Sequence, residues 1–243
     1  METYKGFAIF YDDFMTNIPY DTWGDYIHEI LKKRKSQLVL DLACGTGNMT
    51  LILAKKGYEM IGVDISSDML SAAQQKSWNE EQNILFLAQD MRKLDLFGTV
   101  DAAVCVCDGL NYILDSVDLE TVFKRVRLFL NPNGVFIFDM NTEYKFKELL
   151  GQRSFEANGQ NGVSYEWDNF YNTTTKINEY YVNFFTCEDG EEFSEIHKQR
   201  AYDTNEIIQK LLKAGFAKVS VSHEYTDKPP QVDSIRLTYV AEA

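Results

Sequence analysis

Histidine and cysteine are scarce in this chain, basic residues are outnumbered by acidic ones, and no long apolar run occurs. Each shortage removes a class of protein. The three histidines, His28, His197 and His223, lie far apart, and the four cysteines, Cys44, Cys105, Cys107 and Cys187, have no disulfide-framework spacing. No Cys/His zinc pattern can be assembled from them. Cys105 and Cys107 sit inside an apolar run, where thiols behave as small hydrophobes. With 24 Lys and Arg against 37 Asp and Glu, the net charge of −13 opposes a protein that grips nucleic acid through its phosphates. The one local basic run, Lys32-Lys33-Arg34-Lys35, reads as a solvated helix end, where cations are favoured. No segment approaches the length that spans a bilayer, and "METYKGFAIFYDD" lacks the apolar core of a secretory signal. A reducing, cytoplasmic setting is expected.

What the chain does have is a hydrophobic share of 45% over 243 residues, enough for one large domain or for one core with an insertion. Short apolar runs recur at 37–43, 59–64, 83–89, 100–107 and 135–140. Helical stretches separate them: 48–57 closed by Gly57, 66–78 with a Ser/Asp start, and one around 116–130 with Val122, Val126 and Phe129 at core spacing. "NPNG" at 131–134 reads as a turn before the fifth strand. These strands are nearly continuous in apolar residues rather than alternating, as parallel strands covered on both faces are. The pattern predicts a doubly wound α/β sheet.

Residues 151–203 differ in character, with eleven aromatics among β-favouring residues and Asp189-Gly190 as a hairpin signal. They predict a small antiparallel sheet inserted into the α/β domain. The chain resumes with a helix over 203–216, capped by Thr204 and stopped by Gly215, and closes with strands around 217–224 and 233–241. The expected organisation is therefore an N-terminal helical segment over 1–36, a core over 37–150, the insertion over 151–203, and completion of the core over 204–243.

The run Leu38 to Thr50, "LVLDLACGTGNMT", is an apolar strand that enters two closely spaced glycines. Such a turn holds either a dinucleotide or another adenosine-bearing cofactor. The dinucleotide fingerprint G-x-G-x-x-G needs a third glycine, and here that position is Thr50. Asp41, four residues before Gly45, argues the same way. A carboxylate there opposes a pyrophosphate but favours a sulfonium or an α-ammonium group. A dehydrogenase remains the weaker alternative.

The run Asp41-x-Ala43-Cys44-Gly45-Thr46-Gly47 resembles motif I of the class I S-adenosylmethionine-dependent methyltransferases. Later landmarks agree in order and place. Asp64 closes the second strand, 17 residues after Gly47, and Ile65 follows it. Asp90-Met91 follows the third strand, and "VCDGLNYI" at 106–113 follows the fourth. The resemblance implies a Rossmann-like sheet of seven strands, mostly parallel with the last strand antiparallel, and S-adenosyl-L-methionine as the cofactor. It implies ribose hydroxyls on Asp64, adenine on Asp90 and Met91, and Ala43, Cys44, Gly45, Thr46, Gly47, Ile65, Met69 and Asp108 around the cofactor. The segment 106–113 would lie beside the transferred methyl group, where Asn111 and Tyr112 are expected to position the acceptor by hydrogen bonding.

The N-terminal stretch "FAIFYDDFMTNIPYDTW" resembles the helical lid of small-molecule methyltransferases that act on amines of sugars or amino acids. By that resemblance Tyr11 packs over the methionine end of the cofactor, and Tyr20 and Trp23 border the acceptor. Methyl transfer is an in-line displacement that needs alignment and exclusion of water, with no covalent nucleophile. His197, Arg200 and Tyr202 fall on a strand whose alternation parts His197 from the other two, so His197 is expected to be packed or at the surface. No catalytic base is assigned. Catechol-type relatives hold magnesium with acids and an Asn after strands four and five. Asp108, Asp139 and Asn141 stand there at a different spacing, and no metal site is expected.

The leading expectation is a methyltransferase acting on a small-molecule acceptor, with neither nucleic acid nor membrane as partner. The rivals are methylation of a protein or RNA, and a non-catalytic S-adenosylmethionine-binding protein. Against an RNA acceptor stands the insertion, with ten acids and four bases. The N/D-P-P-aromatic signature of adenine- and glutamine-methylating relatives is also absent, the position reading Cys107-Asp108-Gly109-Leu110. Neither the acceptor nor the oligomeric state is written in these motifs.

Overall fold

The computed structural model describes residues 11–158, 163–186 and 192–243. Seven strands form the main sheet: β1 (Leu38–Leu42), β2 (Glu59–Asp64), β3 (Leu85–Ala88), β4 (Val100–Cys105), β5 (Leu130–Asn141), β10 (Lys218–His223) and β11 (Arg236–Glu242). Their order is β10-β11-β5-β4-β1-β2-β3. Pairings from β3 to β5 are parallel, and β11 runs antiparallel to both its neighbours. The chain order reverses between β1 and β4, the switch point where open α/β sheets bind ligands outside the carboxyl ends of their strands.

Near-continuous apolar strands lie between two helical layers. On β1, Leu40 and Leu42 join one buried cluster and Val39 the other; on β5, Phe136 and Phe138 part from Val135 and Ile137 in the same way. The first cluster is covered by α5 (Ser116–Phe129), through Leu119, Val122, Phe123 and Val126, and by α6 (Thr204–Lys213), through Ile207 and Leu211. The second is covered by α2 (Tyr20–Arg34), through Trp23, Ile27 and Leu31, and by α3 (Asn48–Lys55). A Cβ on Gly24 would stand 2.5 Å from Ile52 Cγ2, so α2 and α3 meet closely where that side chain is missing. Helix α4 (Ser67–Asn79) starts on Ser66, whose hydroxyl accepts from Met69 N.

The inserted sheet is present: β6 (Ser154–Asn158), β7 (Val163–Asn172), β8 (Ile177–Thr186) and β9 (Glu192–Arg200), antiparallel throughout. The Asp189-Gly190 turn and Cys187 lie outside the described residues. The short α1 (Tyr11–Phe14) wedges between this sheet and α4. Phe14 meets Tyr165 edge-on at 4.5 Å, and Met69 and Phe184 are buried beside them.

Two local expectations are corrected. The cap of α6 is Asp203, whose carboxylate accepts from Asn205 N, one residue before Thr204. "NPNG" does not precede β5 but lies within it, as an irregular start with a register shift opposite Val100 and Ala102. Asn133 takes φ +66°, which lets the chain turn without leaving the ladder. The basic run closes α2 as expected, and Arg34 reaches Glu242 at 3.2 Å.

Candidate cofactor and acceptor site

Strand β1 delivers the chain into a loop that only left-handed backbone can make. Ala43, Gly45 and Gly47 all have positive φ, at 57°, 54° and 78°. The two glycines serve different ends. Nothing lies within 4 Å of a Cβ built on Gly45, so a bound group can approach the backbone there. A Cβ on Gly47 would stand 3.0 Å from Ala73 Cβ, so α4 packs against the loop.

Asp64, at the end of β2, ties the loop down. Its Oδ2 accepts from Gly45 N at 2.8 Å and its Oδ1 from Ser66 N at 2.9 Å. Burial pushes its carboxyl above the usual range, and these backbone donors partly offset that. Thr50, at the third position of the glycine pattern, donates to Asp41 Oδ2 at 2.5 Å. Asp41 is fully buried with Oδ1 unpartnered, and burial pushes its carboxyl up to about 7. An unused carboxylate oxygen behind the loop suits a cation in front of it.

A cavity of about 660 Å³ opens over the carboxyl ends of β1, β2 and β4. Of the residues singled out in the sequence, Tyr11, Tyr20, Ala43, Cys44, Gly45, Thr46, Asp64, Ile65, Met69, Asp90, Met91 and Tyr112 line it. Five do not: Asp41, Gly47, Trp23, Asp108 and Asn111. Gly47 is the seat of α4, and Asp41 lies behind the loop. Trp23 is core, stacked on Tyr225 at 4.6 Å with the Arg236 guanidinium 5.1 Å from its ring centre. Asn111 is fully buried and braces backbone: its Nδ2 donates to Arg200 O at 2.8 Å and its Oδ1 accepts from Asn141 N at 2.9 Å.

Asp108 belongs to a buried ionic knot. Arg236, 4% exposed, reaches Asp108 Oδ1 at 2.7 Å and Asp139, which it contacts more closely. Tyr225 Oη donates to Asp139 at 2.5 Å, and Gln199 Nε2 donates to Asp108 at 2.5 Å. Asp139 in turn accepts from the backbone N of Cys107 and of Asp108, at 2.7 and 2.8 Å. Both those residues have positive φ, 61° and 55°, so the knot holds the turn after β4 in a strained shape. The two acids that imitate a magnesium set are thus neutralised by an arginine, and no metal-ligand cluster occurs among the described residues.

At the far end, Asp90 is engaged by Arg92, whose Nε stands 3.0 and 2.9 Å from its two oxygens. That arginine holds the carboxyl below its usual range, and also reaches Asp118 at 3.0 Å. An adenine amine approaching Asp90 meets a paired carboxylate, with Asp118 as the arginine's second partner. At the near end Tyr11, Tyr20, Cys107 and Tyr112 gather. Tyr20 Oη points to Cys107 Sγ at 3.7 Å. Burial raises the Tyr11 and Tyr20 hydroxyls well above their usual range and pushes the Cys107 thiol up to about 12, so all three stay neutral.

Several residues escaped the sequence reading. Asp12 accepts from Thr46 Oγ1 at 2.7 Å and Asn48 Nδ2 at 2.9 Å, and pairs with Lys76 at 2.7 Å, latching α1 to the glycine loop. Its place beside Tyr11 was the available signal. Arg236 had none, because its partners Asp108 and Asp139 are remote in sequence; Arg92 and Glu195 stand two residues from Asp90 and His197, and that spacing was their signal.

A methyltransferase-domain family model, Methyltransf_25, matches residues 39–134. A Bacillus subtilis (strain 168) protein named "Putative methyltransferase YqeM" is 38% identical over 242 residues, covering 98% of this chain and 96% of its own. The crystal structure of an S-adenosylmethionine-dependent methyltransferase from Clostridium acetobutylicum ATCC 824 superposes with a TM-score of 0.88 at 33% identity, covering 98% of both chains. The chain belongs to the S-adenosylmethionine-dependent methyltransferases. A glycine/sarcosine N-methyltransferase of Parasynechococcus marenigrum (strain WH8102) is 29% identical over 118 residues, 48% of this chain and 42% of its own.

S-Adenosylmethionine is the enzyme's cofactor, and the cleft fits it. It offers open backbone at Gly45, a carboxylate at Asp64, an unpartnered acid behind the loop and apolar walls between. Among the described residues, no helix is long and apolar enough to cross a membrane.

Proposed function

We propose that the enzyme methylates a small molecule, held at the tyrosine-lined end of the cleft. The observation that carries this reading is the gathering of Tyr11, Tyr20 and Tyr112 at one end of a cavity large enough for cofactor and acceptor together. The inserted sheet and α1 meet through Phe14, Tyr165 and Phe184 over Met69, which lines the cavity. The likeness to an enzyme named for glycine and sarcosine supports the same class.

When bound, the cofactor supplies a methyl group already activated by its attachment to a sulfonium. The chain's work is then placement and shielding. Asp64 would accept from the ribose hydroxyls, Asp90 and Met91 would hold the adenine end, and Gly45 would let the backbone approach. Asp41, behind the loop, would offset positive charge in front of it. Tyr11 and Tyr20 would close the methionine end against water.

The test is label transfer. The enzyme is incubated with methyl-labelled S-adenosylmethionine and a soluble cell extract, then the small-metabolite, protein and RNA fractions are counted. Label in small metabolites is the expected result. Label in protein or RNA overturns the acceptor class, and no label with cofactor binding intact favours a protein that binds without catalysis.

A further inference from the structure

Tyr112 differs from the other tyrosines at the cleft in what stands behind it. Its hydroxyl lies 3.2 Å from Nδ1 of His197, on β9. Nε2 of the same ring lies 3.0 Å from Glu195 Oε2. His197 and Glu195 are two apart on the strand, so both side chains emerge on one face, and both are buried, at 4% and 7% exposure. The ring is clamped by Tyr180, stacked at 5.4 Å with an interplanar angle of 20°.

Glu195 is a costly residue to bury. Neither of its oxygens has a hydrogen-bond partner among the described residues, and the near contact of Oε2 is the 3.0 Å approach to His197 Nε2, an ion-pair distance. A carboxylate beside Nε2 favours the tautomer protonated there, which leaves Nδ1 to accept from Tyr112. The arrangement runs in one direction: cleft, phenol, imidazole, carboxylate.

The other protonable groups at this end are disqualified. Burial keeps the Tyr11 and Tyr20 hydroxyls protonated, and the Cys107 thiol is pushed up to about 12. Asp108 is occupied by Arg236 and Gln199.

We propose that Tyr112, His197 and Glu195 form a proton relay that deprotonates an amine acceptor. Tyr112 is the group that touches the acceptor; His197 and Glu195 act through it. The proposal rests on the small-molecule reading above and narrows it to nitrogen. The acceptor's ammonium N–H breaks as its proton bonds to Tyr112 Oη. The phenol's own proton passes to His197 Nδ1, and the resulting imidazolium is balanced by Glu195. The lone pair left on nitrogen then bonds to the methyl carbon as sulfur takes back the C–S pair. An imidazole can accept a proton from an ammonium group, whereas an alcohol proton lies many orders of magnitude beyond it. Hence the relay serves an amine and not a hydroxyl. Among the described residues, titratable groups near it include Glu195 on β9, Tyr180 on β8, and Tyr11, Tyr20, Cys107 and Asp108 at the cleft end.

The experiment uses methyl-labelled S-adenosylmethionine with the small-metabolite fraction of a bacterial extract, and follows label transfer against pH. Wild type, Tyr112→Phe, His197→Gln and Glu195→Gln are compared, with S-adenosylhomocysteine affinity and circular dichroism measured at each pH. Near neutral pH, Tyr112→Phe and His197→Gln should lose roughly 100-fold in rate while keeping homocysteine-cofactor affinity within about twofold. The deficit should shrink to below about tenfold near pH 9.5, where amines shed the proton unaided. Glu195→Gln should fall between these and wild type. Label transfer by wild type with variants unaffected, or slowed equally at every pH, overturns the relay and leaves the small-molecule reading standing. No label transfer by wild type overturns that reading and the relay with it.

Discussion

At the residue scale, Asp41 and Asp64 are acids of one motif with opposite situations. Asp64 is supported by two backbone donors and faces the cleft; Asp41 is buried with one oxygen unused. Replacing Asp64 by Ala should weaken S-adenosylhomocysteine binding by about 1–3 kcal/mol, through lost hydrogen bonds to the cofactor and to the Gly45 loop. Calorimetric titration checks this, and unchanged affinity would put the ribose elsewhere. Asp41 carries a pH signature. Its carboxyl is raised to about 7 by burial, so the folded state keeps a proton that the unfolded state releases near pH 4. Its contribution therefore turns against folding as pH rises from about 4 to about 7, and is absent below that window. In the cofactor-free protein, Asp41→Asn should gain on the order of 2–4 kcal/mol over wild type at about pH 8 and nothing near pH 4. Urea midpoints at the two pH values measure it. The same gain at both would mean that charge is not the cause.

Between elements, the decisive link is Arg236. From β11 it reaches Asp139 on β5 and Asp108 in the turn after β4, so one buried guanidinium joins an antiparallel strand of the sheet to the turn beside the cleft. Removing it leaves a buried acid, Asp139, and a half-buried one, Asp108, without their cation. Arg236→Met should cost about 3–5 kcal/mol, and adding Asp139→Asn should recover part of that, because the larger share of the loss is uncompensated charge. Chemical denaturation of the single and double variants decides it; additive losses would mean that the pair is not coupled. The same knot explains why the turn at Cys107 and Asp108 was unreadable from local sequence. Its positive φ angles are held by Asp139 backbone contacts formed across 31 and 32 residues.

For the whole molecule, the cleft is a meeting of parts far apart in sequence: α1, the ends of β1, β2 and β4, and a turn braced by β9. A ligand that fills it stabilises only the folded state. S-Adenosylhomocysteine at about 100 times its dissociation constant adds about 2.7 kcal/mol. For a chain of this size that should raise Tm by about 5–10 °C. Differential scanning calorimetry reads the shift, and an unmoved Tm would mean that the cleft does not hold the cofactor. The acidic net charge belongs to this scale as well, as a statement about partners and not about the fold.

Much of the fold was legible because it is locally encoded. Continuous apolar strands alternating with capped, amphipathic helices point to a doubly wound sheet, and Asp41, Gly45, Gly47 and Asp64 mark its switch point, since loop and strand end are shaped by adjacent residues. Side-chain roles that depend on packing were not legible. Trp23 and Asn111 have the chemistry of pocket residues, but α2 turns the first into the core and backbone carbonyls claim the second. Strand alternation places Glu195 and His197 on one face, yet only the docking of β9 on the turn at 109–112 brings that face to Tyr112. Sequence by itself determined the sheet and the loop, because short-range backbone and hydrophobic rules specify them, and it pointed to the cofactor through the family resemblance that its motifs carry. Tertiary structure alone decided which polar groups meet in the cleft, because burial and pairing between distant residues set both their positions and their charge.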